Sequence, residues 1–275
     1  MNTEDDKNCL STNKRFWNER VSIHKGSELY GLEEFRKGKN KLHALERNEL
    51  GDVRGKKILH LQCHFGMDTL SLEMLGAEVT GVDFSEEAIR AAEELRVVLG
   101  FKSRFILCDI ADLDDVLNEK FDIVFTSYGV VTWLPDIEKW GRTIANHLKN
   151  DGFFYIAEIH PASLIFDNTD ADLSFEARYP YFRQEKPLKF DEPGTYAVKD
   201  AVTTNNTTYE WTHSLSDIFM SLINAGLKIL FFHEHPFTVW EHFPGMKKGE
   251  DGYYKCGKNI PLLFSLKAVK NVNAG

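Results

Sequence analysis

Two aspartates and one short turn carry the clearest chemistry of the sequence. Asp83 ends one apolar run, Asp109 follows the next, and Gly66 ends the turn QCHFG after an earlier run. A carboxylate after the second strand of a strand–helix–strand unit can accept hydrogen bonds from ribose hydroxyls. A carboxylate after the third strand could accept one from an adenine amino group. An aspartate in such a position often only caps the next helix, but two of them beside a glycine turn favour a nucleoside site.

The turn at residues 62–66 restricts which nucleoside cofactor could bind. A dinucleotide pyrophosphate needs the pattern G-x-G-x-x-G, and a nucleoside triphosphate needs G-x-x-x-x-G-K-[ST]. The chain has neither, and Gln62 and His64 stand where small residues are expected. A cofactor without phosphates suits such a loop. His64 would need a backbone conformation that glycine adopts more easily, although histidine tolerates a positive φ better than most residues.

Short apolar runs alternate with helix-period runs between residues 56 and 158. Strands are predicted at 56–61, 78–82, 103–108, 121–126 and 152–158, with helices from Asp68, after Ser85, over 111–118 and after Asp136. This alternation predicts an α/β fold in which a parallel sheet carries helices on both faces. Ligands bind such sheets at the carboxyl ends of the strands. A helix at 215–225 and strands at 227–235 and 260–269 complete the pattern.

No linker marks a second domain, so residues 1–275 are predicted to form one domain with four regions. These are a helical N-terminal cap (1–50), a cofactor-binding core (51–158), an aromatic-rich insertion (159–213), and a C-terminal helix with a strand pair (214–275). The insertion could form a lid that excludes water from a substrate, or its aromatic residues could only pack a satellite core.

Five segments together resemble the class I S-adenosylmethionine-dependent methyltransferases. They are ILHLQCHFG, TGVDFS, CDIADL, FDIVFTSYGVVTWLPD and LKNDGFFYIAE, in the order and spacing of that family. The HLQCHFG form resembles a bacterial branch. The resemblance implies a Rossmann-like sheet of seven strands in the order 3-2-1-4-5-7-6 with an antiparallel last strand. It also implies S-adenosyl-L-methionine as the cofactor and methyl transfer by in-line displacement.

By the same resemblance, the cofactor site is expected to use residues of the first four segments. They are Gln62, His64, Gly66, Asp83, Phe84, Asp109, Ile110, Ser127 and Tyr128. Gln62 could contribute its backbone and its amide to the amino-acid end of the cofactor.

Residues for the methyl acceptor are sought where the strands end. His160, two residues after Glu158, and His213 are candidate general bases, although a histidine at a strand end is more often structural. Trp17, Tyr30, Trp133 and Trp211 are candidate substrate or lid residues. A substantial lid favours a small-molecule acceptor over a macromolecule. A base is needed only if the attacking atom must lose a proton during the reaction.

The overall composition excludes several other functions. A net charge of −9 makes nucleic acid an unlikely partner, and four scattered cysteines argue against a disulfide framework or a structural zinc site. The basic residues between Arg36 and Arg47 are interpreted as a solvated helix face, with RNA as a lesser alternative. No apolar run is long enough to span a membrane, and the polar N-terminus lacks a secretion signal, so a cytoplasmic protein is expected.

Two hypotheses compete with a methyltransferase. One is a non-catalytic relative that binds S-adenosylmethionine or S-adenosylhomocysteine, which would explain the altered turn. The other is a metal-dependent enzyme on the same scaffold, built on His233, His235 and His242. Two histidines on one strand face with an uncertain third are thin support, so no metal site is predicted.

Overall fold

The computed structural model describes residues 4–167 and 175–271. Its α-helices are α1 (Glu4–Gly26), α2 (Leu32–Arg36), α3 (Ala44–Leu50), α4 (Met67–Met74), α5 (Glu86–Leu99), α6 (Leu113–Val116), α7 (Ile137–His147) and α8 (Leu215–Asn224). Its strands are β1 (Lys57–Leu61), β2 (Glu78–Asp83), β3 (Arg104–Leu107), β4 (Phe121–Ser127), β5 (Leu148–Ile159), β6 (Leu188–Asp191), β7 (Thr207–Glu210), β8 (Leu227–His235), β9 (Lys247–Lys248), β10 (Tyr254–Lys255) and β11 (Leu263–Lys270). None of the helices in these two ranges is both long enough and apolar enough to cross a membrane.

Seven strands form the central sheet, in the order β3-β2-β1-β4-β5-β11-β8. Strands β1 to β5 pair in parallel, whereas β11 is antiparallel to both β5 and β8. The predicted Rossmann-like sheet with an antiparallel last strand is therefore confirmed. The strand order reverses between β1 and β4, which makes the crevice at their carboxyl ends the expected ligand site.

The predicted helix starts follow from capping side chains. Ser85 accepts a hydrogen bond from the Ala88 amide at 3.1 Å at the start of α5. Asp136 accepts one from the Lys139 amide at 2.8 Å at the start of α7. These bonds satisfy amide groups that have no partner inside the helix. The predicted segment 111–118 is a 3-10 turn, Ile110–Asp112, followed by the single turn of α6.

The N-terminal region and the insertion form one layer over the carboxyl ends of the strands. The Asn13 side chain on α1 donates to the Tyr209 carbonyl at 2.7 Å and accepts from the Tyr209 amide at 2.8 Å. The fully buried Arg20 guanidinium donates to the Asn205 carbonyl at 2.5 Å and the Gly194 carbonyl at 3.2 Å. Within the insertion, β6 and β7 pair, and residues 168–174 lie outside the described residues. Helix α1 is thereby fixed to the predicted lid.

Candidate active site

The turn after β1 keeps a left-handed backbone without most of its expected glycines. Gln62 has φ 56°, His64 has φ 50° and Gly66 has φ 79°. The prediction that His64 takes a conformation favoured by glycine is confirmed, and Gln62 takes one as well. Such conformations cost about 1–2 kcal/mol per non-glycine residue. Two bonds offset this cost, because the Gln62 amide donates to the Val130 carbonyl at 2.9 Å and the His64 backbone amide donates to Asp83 at 2.8 Å.

Gly66 cannot be replaced in the same way. A Cβ at this position would lie 2.6 Å from the ring of Phe105 and 3.0 Å from the Cβ of Ala92. The close packing of the turn against α5 and β3 therefore requires glycine at position 66, whereas Gln62 and His64 carry side chains at their left-handed positions.

Asp83 and Asp109 lie at the ends of the neighbouring strands β2 and β3. The Asp83 carboxylate accepts from the Ser85 amide at 2.9 Å as well as from His64, and it is only 7% exposed. Its burial raises its pKa to about 6, and the charge of Asp109 adds to the shift. Asp109 accepts from the Ala111 amide at 2.8 Å, and burial raises its pKa as well. Both aspartates therefore cap the following turns, and each carboxylate retains lone pairs for further donors.

Glu158 shapes the loop that follows β4. This residue at the end of β5 is 3% exposed and accepts from the amides of Gly129, Val130 at 2.8 Å and Val131 at 3.0 Å. Burial raises its pKa despite these bonds. The same loop presents the carbonyl that holds Gln62. Glu158 therefore supports the cofactor turn indirectly.

The two candidate bases have different surroundings. The Nδ1 atom of His160 accepts from the Ala162 amide at 3.0 Å, and its Nε2 lies 3.0 Å from a Glu234 carboxylate oxygen. His213 donates from Nε2 to the Leu134 carbonyl at 2.8 Å, and its buried Nδ1 has no hydrogen-bond partner among the residues that the structure describes. Burial lowers the pKa of His213 to about 4, so the ring is neutral and Nδ1 carries a free lone pair. His213 thus has an open acceptor nitrogen, whereas His160 uses its own.

The cavity beside His213 is small. Its volume is about 30 Å³, and Trp211, Thr132 and Glu158 also line it. Such a volume holds about one water molecule. Trp211 is 4% exposed, and its backbone amide donates to the Thr132 carbonyl at 2.8 Å. Trp211 therefore lies in this packed region.

Three of the four predicted lid residues meet above the cofactor turn. The ring centroids of Trp17 and Trp133 are 5.2 Å apart, and Trp17 lies 5.6 Å from His64. Tyr30 lies 5.8 Å from the His64 ring, and its hydroxyl hydrogen-bonds the hydroxyl of Tyr196 in the insertion. Aromatic rings from α1, from the α1–α2 segment and from the insertion thus cover the turn.

A histidine pair fixes this cover to the turn. His24 Nδ1 lies 2.9 Å from His64 Nε2, and His24 is fully buried on α1. Burial lowers the pKa of His24 to about 3 and lowers that of His64 as well. Both rings are therefore neutral, and one donates to the other.

Three further residues near the turn were not among the predicted site residues. Asp68, in the first turn of α4, accepts from the Ser127 hydroxyl at 3.3 Å. Glu46 lies on α3 and is fully buried. Trp240 comes from the segment before β9, and its ring lies 6.2 Å from both Tyr128 and Tyr196. The acid beside the turn is visible in the string GMDTL, but nothing in the sequence places α3 or Trp240 beside it.

The histidine grouping considered for a metal does not form. Over residues 4–167 and 175–271, no three His, Cys, Asp or Glu side chains are placed to hold a metal ion. His233 lies 2.8 Å from Glu49, and His235 lies 3.1 Å from the Ser265 hydroxyl. The basic segment also has ordinary partners, because Arg36 donates to a carboxylate of the same helix at 2.7 Å.

Known proteins match the region that holds these elements. Residues 59–154 match the family model described as a methyltransferase domain. The histidine protein methyltransferase 1 homolog of Dictyostelium discoideum is 32% identical over 38% of this chain and 36% of its own length. The ubiquinone biosynthesis O-methyltransferase of Pseudomonas syringae pv. tomato is 26% identical over 43% of this chain and 52% of its own length. The chain thus spans only about a third to a half of these relatives.

A solved structure shares the fold over a longer span. An S-adenosylmethionine-dependent methyltransferase from Clostridium acetobutylicum superposes with a TM-score of 0.56 at 17% identity, covering 82% of this chain and 88% of its own. Residues 59–154 therefore match a methyltransferase domain, and the chain shares the fold of an S-adenosylmethionine-dependent methyltransferase.

Proposed function

We propose that the protein binds S-adenosyl-L-methionine at the carboxyl ends of β1, β2 and β3 and transfers its methyl group to a small molecule. The observation that carries this proposal is the pair of carboxylates, the buried Asp83 and the half-buried Asp109, at successive strand ends beside the turn at 62–66. Asp83 would accept the ribose hydroxyls, and Asp109 with Ile110 would contact the adenine. The cofactor has no phosphates, so the loss of two glycines from the turn removes no essential donor.

The remaining contacts follow from the position of each residue in the loops. Phe84 follows Asp83 at the edge of the ribose site. Gln62, His64 and Gly66 would line the amino-acid end of the cofactor, and Ser127 with Tyr128 would close the crevice at the end of β4. The sulfonium is already a strong electrophile, so catalysis rests largely on positioning the acceptor in line and excluding water.

The lid supports a small acceptor. Trp17, Tyr30 and Trp133 cover the turn, and α1 is tied to the insertion by buried hydrogen bonds. A macromolecular acceptor would have to displace this layer. The names of the two relatives indicate different acceptors, because one is a histidine protein methyltransferase homolog and the other is a ubiquinone biosynthesis O-methyltransferase.

Calorimetric titration with S-adenosylmethionine and S-adenosylhomocysteine tests the proposal. We expect micromolar binding by the wild type, loss of binding in Asp83→Ala, and no binding of NAD, which serves as the control ligand. Absence of binding by the wild type, also with candidate acceptors present, would contradict the proposal. Binding without turnover over a broad acceptor panel would favour a non-catalytic relative.

A further inference from the structure

Glu46 is a buried carboxyl group that the proposed cofactor site does not use. Its side chain is fully buried on α3, and among the described residues neither carboxyl oxygen has a donor in good hydrogen-bond geometry, although the Tyr128 hydroxyl and the backbone amides of His43 and Glu46 lie close to it. It lies beside Tyr128, whose buried hydroxyl also lacks a partner with hydrogen-bond geometry. Buried polar groups are nearly always paired in native proteins. A buried carboxyl whose neighbouring donors are poorly aligned keeps acceptor capacity that a donor group of a ligand can use.

The charges around this place favour a cation. Asp68 lies close enough for its charge to raise the pKa of Glu46. Burial raises the pKa of Asp68, and the positive charge of the half-buried Lys41 nearby offsets part of that rise. In the described part of the chain, Glu46 itself forms no ion pair. His43 adds no charge, because burial lowers its pKa to about 4. Lys41 therefore serves Asp68, and a second positive charge beside Glu46 would favour its ionised form.

Aromatic rings surround the same place. Tyr128 lies edge-on to His43 at 5.9 Å and to Trp240 at 6.2 Å. Trp240 lies 6.2 Å from Tyr196, whose hydroxyl bonds that of Tyr30 in the lid. Ring faces attract cations most strongly where water is excluded. A chain of aromatic contacts thus runs from Tyr30 through Tyr196 and Trp240 to Tyr128, which lies beside Glu46.

We propose that Glu46, with Asp68 and Tyr128, binds the amino group of a small-molecule amine, and that this amine is the methyl acceptor. The inference rests on the proposed function, because Tyr128 belongs to both sites. An ammonium group offers three donors and a positive charge, which matches two carboxyls and a phenol better than a hydroxyl acceptor would.

The chemistry balances with Glu46 as the proton acceptor. A bound ammonium passes one proton to the Glu46 carboxylate and becomes a neutral amine. The nitrogen lone pair then attacks the methyl carbon, the carbon–sulfur bond breaks, and its electron pair stays on sulfur in neutral S-adenosylhomocysteine. The product leaves as a methylated ammonium. Burial raises the pKa of Glu46 to about 8, which brings it closer to that of an amine than an exposed carboxylate would be.

Matched amine and alcohol pairs test the proposal. Wild-type protein would be incubated with S-adenosylmethionine and phenethylamine, cyclohexylamine or 1-aminobutane, or with the corresponding alcohols, while S-adenosylhomocysteine formation is followed. We expect methylation of amines and not of alcohols. Glu46→Gln should lower kcat/KM at least 100-fold and leave the Kd for S-adenosylhomocysteine within twofold. Glu49→Gln, the same change on the same helix, should leave both values within threefold.

Several results would overturn the assignment. Alcohols methylated as readily as amines, or an unchanged kcat/KM in Glu46→Gln, would show that Glu46 does not select an amine. A tenfold weaker Kd for S-adenosylhomocysteine in Glu46→Gln would assign the carboxyl to the ammonium group of the cofactor instead. If the wild type binds S-adenosylhomocysteine but neither binds nor methylates any of the amines, the amine assignment is wrong. If it does not bind S-adenosylhomocysteine, the proposed function has failed first.

Discussion

Replacing Asp83 by asparagine should separate ligand binding from stability. The carboxylate is 7% exposed, and burial raises its pKa from 3.8 to about 6. A carboxyl whose pKa is raised on folding favours the folded state at low pH, and this contribution is lost as pH rises through the folded pKa. A difference of about two pKa units corresponds to roughly 3 kcal/mol of stability lost between pH 4 and pH 7.

Asparagine does not ionise, so it removes the loss of stability between pH 4 and pH 7, but it also replaces one acceptor oxygen of the carboxylate by an NH₂ group. Its single carbonyl oxygen can serve only one of the two amides, those of His64 and Ser85, that the carboxylate accepts from. The unserved amide costs about 1–3 kcal/mol. At pH 7.5 the ionisation cost that asparagine removes nearly equals the cost of the amide that it leaves without an acceptor. At pH 5 part of the ionisation cost is absent, so the variant is less stable than the wild type. The stability advantage of the wild type over Asp83→Asn should therefore fall by roughly 1 kcal/mol from pH 5 to pH 7.5.

Urea unfolding at the two pH values measures the stability difference between the wild type and Asp83→Asn. Asp151→Asn is the control, because Asp151 is an exposed residue of β5. Binding should behave differently. The loss of two charge-assisted hydrogen bonds to ribose hydroxyls costs about 3 kcal/mol, or about 100-fold in the Kd for S-adenosylhomocysteine. A stability difference that does not change between pH 5 and pH 7.5, or a Kd within threefold of the wild type, would refute the reasoning.

Three further substitutions test the turn and its support. Gly66→Ala should destabilise the protein by at least about 2 kcal/mol in urea unfolding, because its Cβ would lie 2.6 Å from an aromatic ring. Gly100→Ala shares a positive φ but has open space, so an equal loss there would show that the contact is not the cause. Glu158→Gln should cost about 2–3 kcal/mol in thermal unfolding because amides of residues 129–131 lose a buried charged acceptor, and a change below 0.5 kcal/mol would contradict this role. His64→Gly should leave the Kd for S-adenosylhomocysteine within threefold, since the backbone amide remains; a tenfold change would show that the imidazole itself contacts the cofactor.

The fold could be predicted from the sequence because its signals are local. Capping residues such as Ser85 and Asp136 mark helix starts, and buried parallel strands read as short apolar runs. The order of the seven strands came from the resemblance, since periodicity does not encode sheet order. The N-terminal cap, residues 1–50, was predicted to be helical, but residues 27–31 and 37–43 separate α1, α2 and α3.

The acceptor side of the site could not be predicted in the same way. Glu46 and Trp240 come from segments distant from the motifs, and only the folded chain brings them near Tyr128. A motif records residues that share one loop, whereas this group is assembled by tertiary packing. The free nitrogen of His213 is likewise visible only when its other nitrogen is seen to bond a carbonyl.

The central claim is that an adenosyl cofactor lies across the carboxyl ends of β1, β2 and β3. A crystal structure of the wild-type protein with S-adenosylhomocysteine tests it most directly. We predict ribose hydroxyls within hydrogen-bond distance of the Asp83 carboxylate and an adenine beside Asp109 and Ile110. A ligand bound elsewhere, or strand ends that stay closed at saturating ligand with the His64 amide as the nearest partner of Asp83, would contradict the claim.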